Sequence, residues 1–506
     1  MRTICLLLLL FLLAAPASAE PFSPGQAFDP RLIADVTATA LAFMAPRTLE
    51  PVATGQLTLW GLRGLTTIDQ RLSAELTPQA LRLTMGPRML VSRPPPAEGD
   101  PRGWGEATAQ LSRAAWDTSE PVRKQGTNGI LRSYFNEMLN HLDPYSRYAA
   151  PLEATADTNR RNGRAGIGLE LSRTGSFFIV RAVAEASPAA QAGIRPGETL
   201  IAIDDQPLAG ADLASANALM AGPEDTKVLL TLRTPRGTRG ISLTRALITP
   251  PTVFAQRQGD LLVLRVTGFS RDTAQSLIRE MQRPQPPSRP ARGIVIDLRG
   301  NRGGLLRQAI ASAEALIPHG LIATTKGRDP DADHEYQADG QDLARDLPVI
   351  VLVDGNSASA AEVLAAALSD QRRAVVIGSS TLGKGLVQTI LPLPDGGALS
   401  LTWSRILAPL GWPLQALGVM PQVCTSLGED QLKRQLAELS AGRQPMARAL
   451  TRHREARAPI PPADILEIRN ACPASEGRDS DMVAADFLVH TEKAYDSALI
   501  PLPISP

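Results

Sequence analysis

Residues 348–364 read Pro-Val-Ile-Val-Leu-Val-Asp-Gly-Asn-Ser-Ala-Ser-Ala-Ala-Glu-Val-Leu, and this segment is the most informative one about the architecture. Its apolar first half is typical of a buried strand, and the alanine-rich part from Ser359 to Leu368 predicts a helix. Similar apolar strands are expected at residues 293–299 and 374–378, and a helix is expected at residues 305–316. This alternation of strands and helices predicts an α/β layer architecture.

The pattern of the sequence changes on the N-terminal side of this core. Residues 166–234 contain short strands and turns, which predict a small β-rich domain. Apolar residues at helical spacing predict mostly helices at residues 27–84 and a further helix at residues 129–142. Two proline-rich stretches, residues 92–101 and 283–290, are predicted to be loops or linkers.

The N-terminus has the pattern of a secretory signal peptide. Met1-Arg-Thr is followed by an apolar run at residues 4–15 and then by Pro-Ala-Ser-Ala at residues 16–19. A basic start, a short apolar core and small residues before a cleavage site are typical of exported proteins. The run is shorter than the ~20 residues that a membrane-spanning helix needs. We therefore expect cleavage after Ala19 and a periplasmic or secreted mature protein.

The composition argues against nucleic-acid binding. The 506-residue chain has a formal net charge of +1 and 4% aromatic residues, so neither a basic patch nor stacking side chains are expected. Removal of the signal peptide would leave two cysteines, Cys424 and Cys472. An oxidising compartment favours a disulfide between them, and two buried free thiols remain the alternative. Their spacing excludes a CxxC metal site, and we predict neither a metal nor a cofactor.

Ser359 is a candidate nucleophile because it stands at the predicted start of a helix. The free N–H groups and the positive dipole end of a helix N-terminus favour an anion. A tetrahedral intermediate carries such an anion, so an oxyanion site would lie beside this serine. The alternative is structural, because Ser359-Ala-Ala-Glu362 also has the pattern of a capping box.

Lys384 is a candidate general base within Gly-Ser-Ser-Thr-Leu-Gly-Lys-Gly-Leu-Val-Gln, residues 378–388. The segment nearly matches a phosphate-binding loop, but Gly385 replaces the magnesium-binding hydroxyl and the following residues do not open a helix. An unperturbed lysine, with a pKa of about 10.4, is neutral in roughly one molecule in 2,500 at pH 7. Burial can lower that pKa by about 3–5 units. On the residues alone, His319 and His334 remain alternative bases.

A third motif ends the predicted strand at residues 293–299. Asp297-Leu-Arg-Gly-Asn-Arg-Gly-Gly-Leu connects this strand to a helix. Gly303 and Gly304 can bring a backbone N–H group close to a substrate carbonyl, as an oxyanion donor requires. A tight strand-to-helix turn explains the same glycines, and the two interpretations are compatible.

Together these three motifs resemble the C-terminal processing peptidases, also called tail-specific proteases. They occur in the order of that family, and the resemblance covers roughly residues 129–421. It implies Ser359 as the nucleophile, Lys384 as the base and Gln388 as the residue that orients the lysine. It also implies backbone oxyanion donors, which are Ala360 and one of the two glycines Gly303 and Gly304.

The resemblance further implies a PDZ domain that binds the C-terminal carboxylate of a substrate. The carboxylate-binding loop would consist of Gly166, Ile167, Gly168 and Leu169, beside a sheet edge. Three positions depart from the family's frequent residues: Tyr145, Ala361 and Leu382. The ends of the chain, before residue 92 and after residue 421, match weakly.

The resulting prediction is an α/β fold with a crotonase/ClpP-like protease core, an inserted PDZ domain and helical N- and C-terminal segments. The predicted function is an exported serine endopeptidase that cleaves protein or peptide substrates near their C-termini, and a homo-oligomer is compatible with it. The alternatives are a catalytically silent PDZ scaffold and an acyl-transfer or hydratase enzyme. The expected divisions are a signal peptide (1–19), a helical region (20–155), a PDZ domain (162–245), a protease core (250–421) and a C-terminal extension (422–506).

Overall fold

The computed structural model describes residues 28–235, 237–284, 288, 290–345 and 347–499. The predicted signal peptide and its cleavage site at Ala19 lie outside the described residues. None of the helices in the described ranges combines the length and the apolar character needed to cross a membrane. The chain forms two compact units, which are described separately.

The first unit comprises the described residues up to 45, residues 52–150 and residues 393–395. Its elements are α1 (Pro30–Arg47), α2 (Thr54–Ile68), β1 (Leu72–Leu76), β2 (Leu81–Met85), β3 (Arg88–Arg93), α3 (Pro101–Thr118), α4 (Glu120–Asn140) and β4 (Arg147–Ala149). Helices α2 and α4 pack closely because α2 carries Gly61 and Gly64. A Cβ atom would lie 2.3 Å from the Tyr134 ring at Gly61 and 2.4 Å from the Ser133 carbonyl at Gly64.

The prediction of mostly helices up to residue 84 was wrong at its C-terminal end. Strands β1, β2 and β3 form an antiparallel three-stranded sheet there. Leu72 and Ala74 are buried and alternate with exposed residues on β1, and Leu81 and Leu83 are the buried residues of β2. Buried residues at every second position are the signature of a strand with one buried face. The helical spacing of apolar residues therefore does not continue from the preceding segment into residues 72–84.

The second unit begins with a small β-rich domain. Its elements are α5 (Pro151–Asn162), β5 (Arg164–Gly166), β6 (Leu169–Thr174), β7 (Phe177–Val183), α6 (Pro188–Gln191), β8 (Thr199–Ile203), β9 (Gln206–Pro207), α7 (Leu213–Met220), β10 (Lys227–Thr234), β11 (Gly237–Thr244) and β12 (Ala246–Ile248). The main sheet has the order β11-β10-β8-β7-β6, with β9 paired to β8. Strands β5 and β12 pair as an antiparallel ribbon that brings the two ends of this domain together.

The core of the second unit contains two sheets. Its elements are β13 (Val253–Gln258), β14 (Leu261–Val266), α8 (Thr273–Gln282), β15 (Gly293–Asp297), α9 (Leu306–Glu314), β16 (His319–Gly327), β17 (His334–Asp339), β18 (Val349–Val353), α10 (Ala360–Asp370), β19 (Val375–Gly378), β20 (Leu386–Pro392), β21 (Ala398–Leu407) and β22 (Val423–Cys424). The first sheet has the order β13-β14-β15-β18-β19-β22 and is parallel from β14 onward. The second sheet contains the order β17-β16-β21-β20.

The mostly parallel sheet is covered on both faces. Helices α9 and α10 pack on one face, together with residues of the second sheet. The other face is covered by α11 (Glu429–Ser440), α14 (Asp479–His490) and α15 (Glu492–Ala498), and α12 (Ala447–Glu455) and α13 (Pro462–Asn470) complete the C-terminal segment. Every residue of β15, β18 and β19 is buried, which fits the unbroken apolar runs in the sequence.

A buried ion pair anchors α12 to the end of α10. Arg454 Nε lies 3.0 Å from Asp370 Oδ1, and both side chains are almost completely buried. Trp412 Nε1 donates to the other carboxylate oxygen at 2.8 Å. Burial raises the pKa of Asp370 and lowers the pKa of Arg454, so each charge depends on its partner.

We predict that Arg454→Met lowers the free energy of unfolding by about 3–5 kcal/mol, because it leaves the Asp370 carboxylate buried without a cation. The loss should shrink as the pH falls, since burial already raises the pKa of Asp370 and its neutral form needs no counter-ion. Urea unfolding followed by circular dichroism measures both effects.

The matched control for this prediction is Arg452→Met on the same helix. Arg452 pairs with Glu467 on the surface, so its removal should cost no more than about 1 kcal/mol. Equal losses for the two variants would contradict the role assigned to the buried pair.

Candidate active site

Ser359 lies between β18 and α10 in a strained backbone conformation. Its φ is 56° and its ψ is −117°, a region that residues with a side chain rarely adopt. Such strain persists only where the surrounding structure enforces it, and it clusters at functional sites. The Ser359 side chain makes no capping hydrogen bond. The capping-box interpretation is therefore realised only on the side of Glu362, which accepts from the Ser359 N–H at 2.7 Å.

Gly303 lies directly against the nucleophile segment. A Cβ atom on Gly303 would be 2.8 Å from Ser359 Cβ and 3.0 Å from the Ala360 nitrogen. The φ of Gly303 is 94°, so both space and backbone conformation require glycine here. Its own N–H donates to Asn301 Oδ1 at 2.8 Å. Gly303 thus makes room for the serine, while its amide is already bonded.

The backbone amide of Gly304 points away from the neighbouring backbone at Phe269. Phe269 N donates to Gly303 O at 3.0 Å, and Leu305 N donates to Phe269 O at 2.8 Å. In this parallel pairing the N–H and C=O groups of Gly304 face the opposite side. A Cβ on Gly304 would lie 2.1 Å from Phe269 O, so this position also requires glycine.

Asp354 ties the glycine turn to the serine segment. Its Oδ1 atom accepts from Gly300 N at 3.0 Å and from Ser357 N at 2.9 Å. Ala358 N adds a bond to Asn301 O at 2.9 Å. Residues 298–304 (the glycine turn) and residues 354–359 (the nucleophile loop) are therefore held side by side.

Glu362 joins the nucleophile loop to the lysine segment. Its fully buried carboxylate accepts from Ser359 N at 2.7 Å and from Lys384 N at 2.9 Å, both on Oε2. Its Oε1 atom accepts from Gly383 N at 2.7 Å and from the Thr381 hydroxyl. Burial raises the pKa of Glu362, and these four hydrogen bonds act in the opposite direction.

Sequence reasoning missed this role of Glu362 and interpreted the residue only as part of a capping box. The available signal was its position, because Glu362 is an acidic residue among the apolar residues of a helix that is buried along its whole length. A buried carboxylate requires several donors, so such a residue points to a convergence of loops.

Residues 379–385 (the lysine loop) require glycine on both sides of Lys384. Gly383 has a φ of 86°, and a Cβ on Gly385 would lie 2.1 Å from the Gln415 nitrogen. The half-buried Lys384 then leads into strand β20. No helix follows the lysine, which agrees with the rejection of a phosphate-binding loop.

Gln388 lies on β20, four residues beyond the lysine. Its Nε2 atom donates to Leu386 O and to Thr402 Oγ1, each at 3.1 Å. These bonds fix the amide group against the sheet. Orientation of Lys384 by Gln388 stays a prediction.

The two histidines considered as alternative bases lie elsewhere. Gly320, next to His319, packs against the Gln371 side chain at the C-terminal end of α10, whereas Ser359 stands at the N-terminal end. The 11 residues of α10 separate these ends by about 16 Å. His334 begins β17, which is three strands from β20 in the sheet order, or about 14 Å.

The predicted carboxylate-binding loop precedes a strand at the edge of its sheet. Gly166 ends β5, Ile167 is buried and Leu169 begins β6, the last strand in its sheet order. Gly168 has a φ of 81°, and a Cβ there would lie 2.2 Å from Ser187 Cβ. A glycine loop before an edge strand is the arrangement that allows an extended peptide to add to a sheet.

Cys424 and Cys472 form a disulfide bond, with their Cα atoms 5.8 Å apart. Both residues are fully buried. The bond connects the end of β22 to the segment that follows α13.

A strained serine at a helix N-terminus, joined through one carboxylate to a glycine-flanked lysine, has the components expected of a serine hydrolase site. The model for peptidase family S41 matches residues 260–425, and a PDZ domain model matches residues 179–234. A carboxy-terminal-processing protease of Bartonella bacilliformis is 35% identical over 325 residues, which cover 62% of this chain and 74% of that protein. The chain belongs to peptidase family S41 and is a serine-type peptidase with a PDZ domain.

Other similar proteins carry related names. The chloroplastic C-terminal processing peptidase of Tetradesmus obliquus is 31% identical over 312 residues, which cover 56% of this chain and 64% of that protein. This chain thus spans slightly less than two thirds of the algal protein. The solved structure of a photosystem II D1 C-terminal processing protease is 25% identical, with a TM-score of 0.35, and the match covers 72% of this chain and 92% of that one.

We predict that Ser359→Gly is more stable than Ser359→Ala by about 1 kcal/mol. Both variants lack the hydroxyl, but only glycine adopts a φ of 56° and a ψ of −117° without strain. At Ala437, which is exposed in the middle of α11, the same comparison should reverse, and Ala437→Gly should cost about 1 kcal/mol. Urea unfolding of the three variants measures both differences. A Ser359→Gly variant less stable than Ser359→Ala would show that the serine backbone is unstrained.

Proposed function

We propose that this chain is an exported endopeptidase that cleaves protein substrates near their C-termini, with Ser359 as nucleophile and Lys384 as general base. One observation carries the proposal: Glu362 Oε2 accepts from the backbone N–H groups of both Ser359 and Lys384. Because both amides bond to the same oxygen atom, the backbone at Ser359 lies next to the backbone at Lys384. This arrangement supports a serine–lysine pair that acts as a unit.

In the proposed reaction, neutral Lys384 takes the proton of the Ser359 hydroxyl as the oxygen attacks the substrate carbonyl. The oxyanion is stabilised by the amides of Ala360, the first residue of α10, and of Gly304. We assign Gly304 rather than Gly303 because the Gly303 amide already donates to Asn301. The lysine then gives its proton to the leaving amine, and water hydrolyses the acyl-enzyme.

The finer description of the architecture is also part of the proposal. We assign a crotonase/ClpP-like fold to residues 250–421, a PDZ domain to residues 162–245, and the other divisions as expected from the sequence. The signal-peptide pattern supports a periplasmic or secreted location. Protein or peptide tails are the proposed partners, bound along β6 beside residues 166–169, and assembly as a homo-oligomer is compatible with these assignments.

We predict that Ser359→Ala and Lys384→Ala each remove nearly all peptidase activity, and that the double variant loses little more, because the two residues act as one unit. Lys384→Arg should be as inactive as Lys384→Ala, since a guanidinium does not release its proton near neutral pH. Gln388→Ala should be milder.

Cleavage of a fluorogenic peptide and labelling by a serine-reactive fluorophosphonate measure these effects. Circular dichroism checks folding. Lys326→Ala on β16 is the matched control, because the Lys326 side chain forms a surface pair with Asp333. The mechanism would be contradicted if the folded Lys384→Ala variant keeps substantial activity while His319→Ala or His334→Ala loses peptidase activity. An unlabelled, inactive wild-type protein would favour the silent scaffold.

We predict that the enzyme distinguishes free from blocked substrate tails. Amidation of the terminal carboxylate should lower kcat/KM by about tenfold or more, because a charge-assisted hydrogen bond is lost. A charged extension after the tail should have a similar effect. Peptides with the same scissile sequence and different termini provide the comparison, and equal cleavage of all of them would rule out tail recognition.

A further inference from the structure

Residues 472–478 (the clamp segment) lie between α13 and α14, beyond the S41 match that ends at residue 425. The segment is nevertheless bonded to all three loops of the candidate active site. No motif in the sequence identified it, and the proposed mechanism does not use it. Its contacts therefore raise the question of what it contributes to the site.

The clamp segment bonds to the nucleophile loop at two points. Gly355 N donates to Ser475 O at 2.7 Å. Gly477 N donates to Asp354 Oδ2 at 3.3 Å. Asp354 is the residue that also holds the glycine turn, so the clamp segment adds to an existing hub of the site.

The same segment bonds to the lysine loop. Ser379 Oγ donates to Ser475 O at 2.9 Å, and Ser475 N donates back to Ser379 Oγ at 3.0 Å. Ser380 N donates to Cys472 O at 3.4 Å. The Ser475 carbonyl therefore accepts from both loops, from Gly355 on one side and from Ser379 on the other.

Two arginines extend these connections. Arg299, in the glycine turn, donates from Nη1 to Arg478 O at 3.0 Å. Arg469, on α13 just before the clamp segment, donates to Thr381 O at 2.9 Å and to Leu417 O at 2.7 Å. The glycine turn and the lysine loop are thus both held from the C-terminal segment.

The disulfide fixes the clamp segment to the parallel sheet. Cys472 is the first residue of the segment, and Cys424 ends β22, which pairs with β19 immediately before the lysine loop. Both cysteines are fully buried, so a reductant has little access in the folded protein. The bond is therefore suited to a permanent attachment and not to a switch.

We propose that the clamp segment, attached through Cys424–Cys472, positions the nucleophile loop against the lysine loop and so sets the geometry of the catalytic pair. This inference rests on the proposed function. Ser359 and Lys384 follow different strands, and their loops are joined by Glu362 and by a bond from Leu382 N to Ser357 O at 3.0 Å. The clamp segment supplies a further connection through Ser379 and Gly355. Each added connection further restricts the relative orientation of the two loops, and an error of about 1 Å can cost about 10²-fold in rate.

The test compares the Cys424→Ala/Cys472→Ala double variant and Ser379→Ala with the wild-type full-length mature protein. We expect kcat and the rate of fluorophosphonate labelling to fall by about tenfold or more, with KM within about twofold. A role in stability alone would lower the melting temperature and leave both rates unchanged at a temperature where the protein is folded.

Tyr495→Phe is the matched control. The Tyr495 hydroxyl accepts from Val349 N at 3.1 Å and so attaches the C-terminal segment to the start of β18, away from the catalytic loops. The Tyr495→Phe variant should have a lower melting temperature than the wild-type protein and an unchanged kcat. If the cysteine variant does not fold, Ser379→Ala decides.

The outcomes separate this inference from the proposed function. Wild-type kcat and labelling rates in folded Ser379→Ala, and in the cysteine variant if it folds, would overturn the clamp and leave the serine–lysine mechanism standing. The mechanism itself would be overturned if the wild-type protein is not labelled. It would also be overturned if the folded Lys384→Ala variant keeps its activity. Loss of kcat in the clamp variants, with Tyr495→Phe unaffected, would establish the positioning role.

Discussion

The candidate active site depends on the buried carboxylate of Glu362. Its two oxygens accept four hydrogen bonds, three of them from backbone amides of the nucleophile and lysine loops. Burying a charge without partners is costly, and burial raises the pKa of Glu362, so the folded state is favourable only with the donors in place. The same interaction holds the N–H of Ser359 and thereby helps to maintain its strained backbone. Glu362 thus connects Ser359 to Lys384 and to the residues of the lysine loop that precede Lys384.

The parallel sheet explains why these loops meet. The glycine turn follows β15, the nucleophile loop follows β18 and the lysine loop follows β19, and these three strands are neighbours. The carboxyl ends of parallel strands lie at one edge of a sheet, which is where α/β proteins place their sites. The glycine turn and the nucleophile loop, which are far apart in sequence, are therefore adjacent in space. Sheet order brings the loops to one edge, and Glu362, Asp354 and the glycines Gly303, Gly304 and Gly385 then fix them against one another.

The sequence predicted the strands of this sheet because their apolar runs are unbroken, and it predicted Ser359 and Lys384 because glycine and serine patterns surround them. It could not reveal the short β-sheet at residues 72–93, since that alternation is brief and follows strong helical spacing. It also missed the role of the acceptors Glu362 and Asp354, because their partners are backbone amides, which sequence spacing does not identify. The bonds of Ser475 were hidden for the same reason: they use its main chain, so residue identity carries no signal.

The C-terminal segment completes the protease core structurally, although the S41 match stops at residue 425. A mostly parallel sheet needs both faces covered, and α11, α14 and α15 cover the face opposite α9 and α10. Without them, buried residues such as Val295, Ile350 and Val375 would be exposed to water. The loops at the carboxyl edge extend from those same strands, so their positions depend on the covered sheet. The C-terminal helices and the clamp segment between them therefore have two linked effects. They stabilise the folded sheet, and through the sheet they influence the positions of the loops in the candidate site.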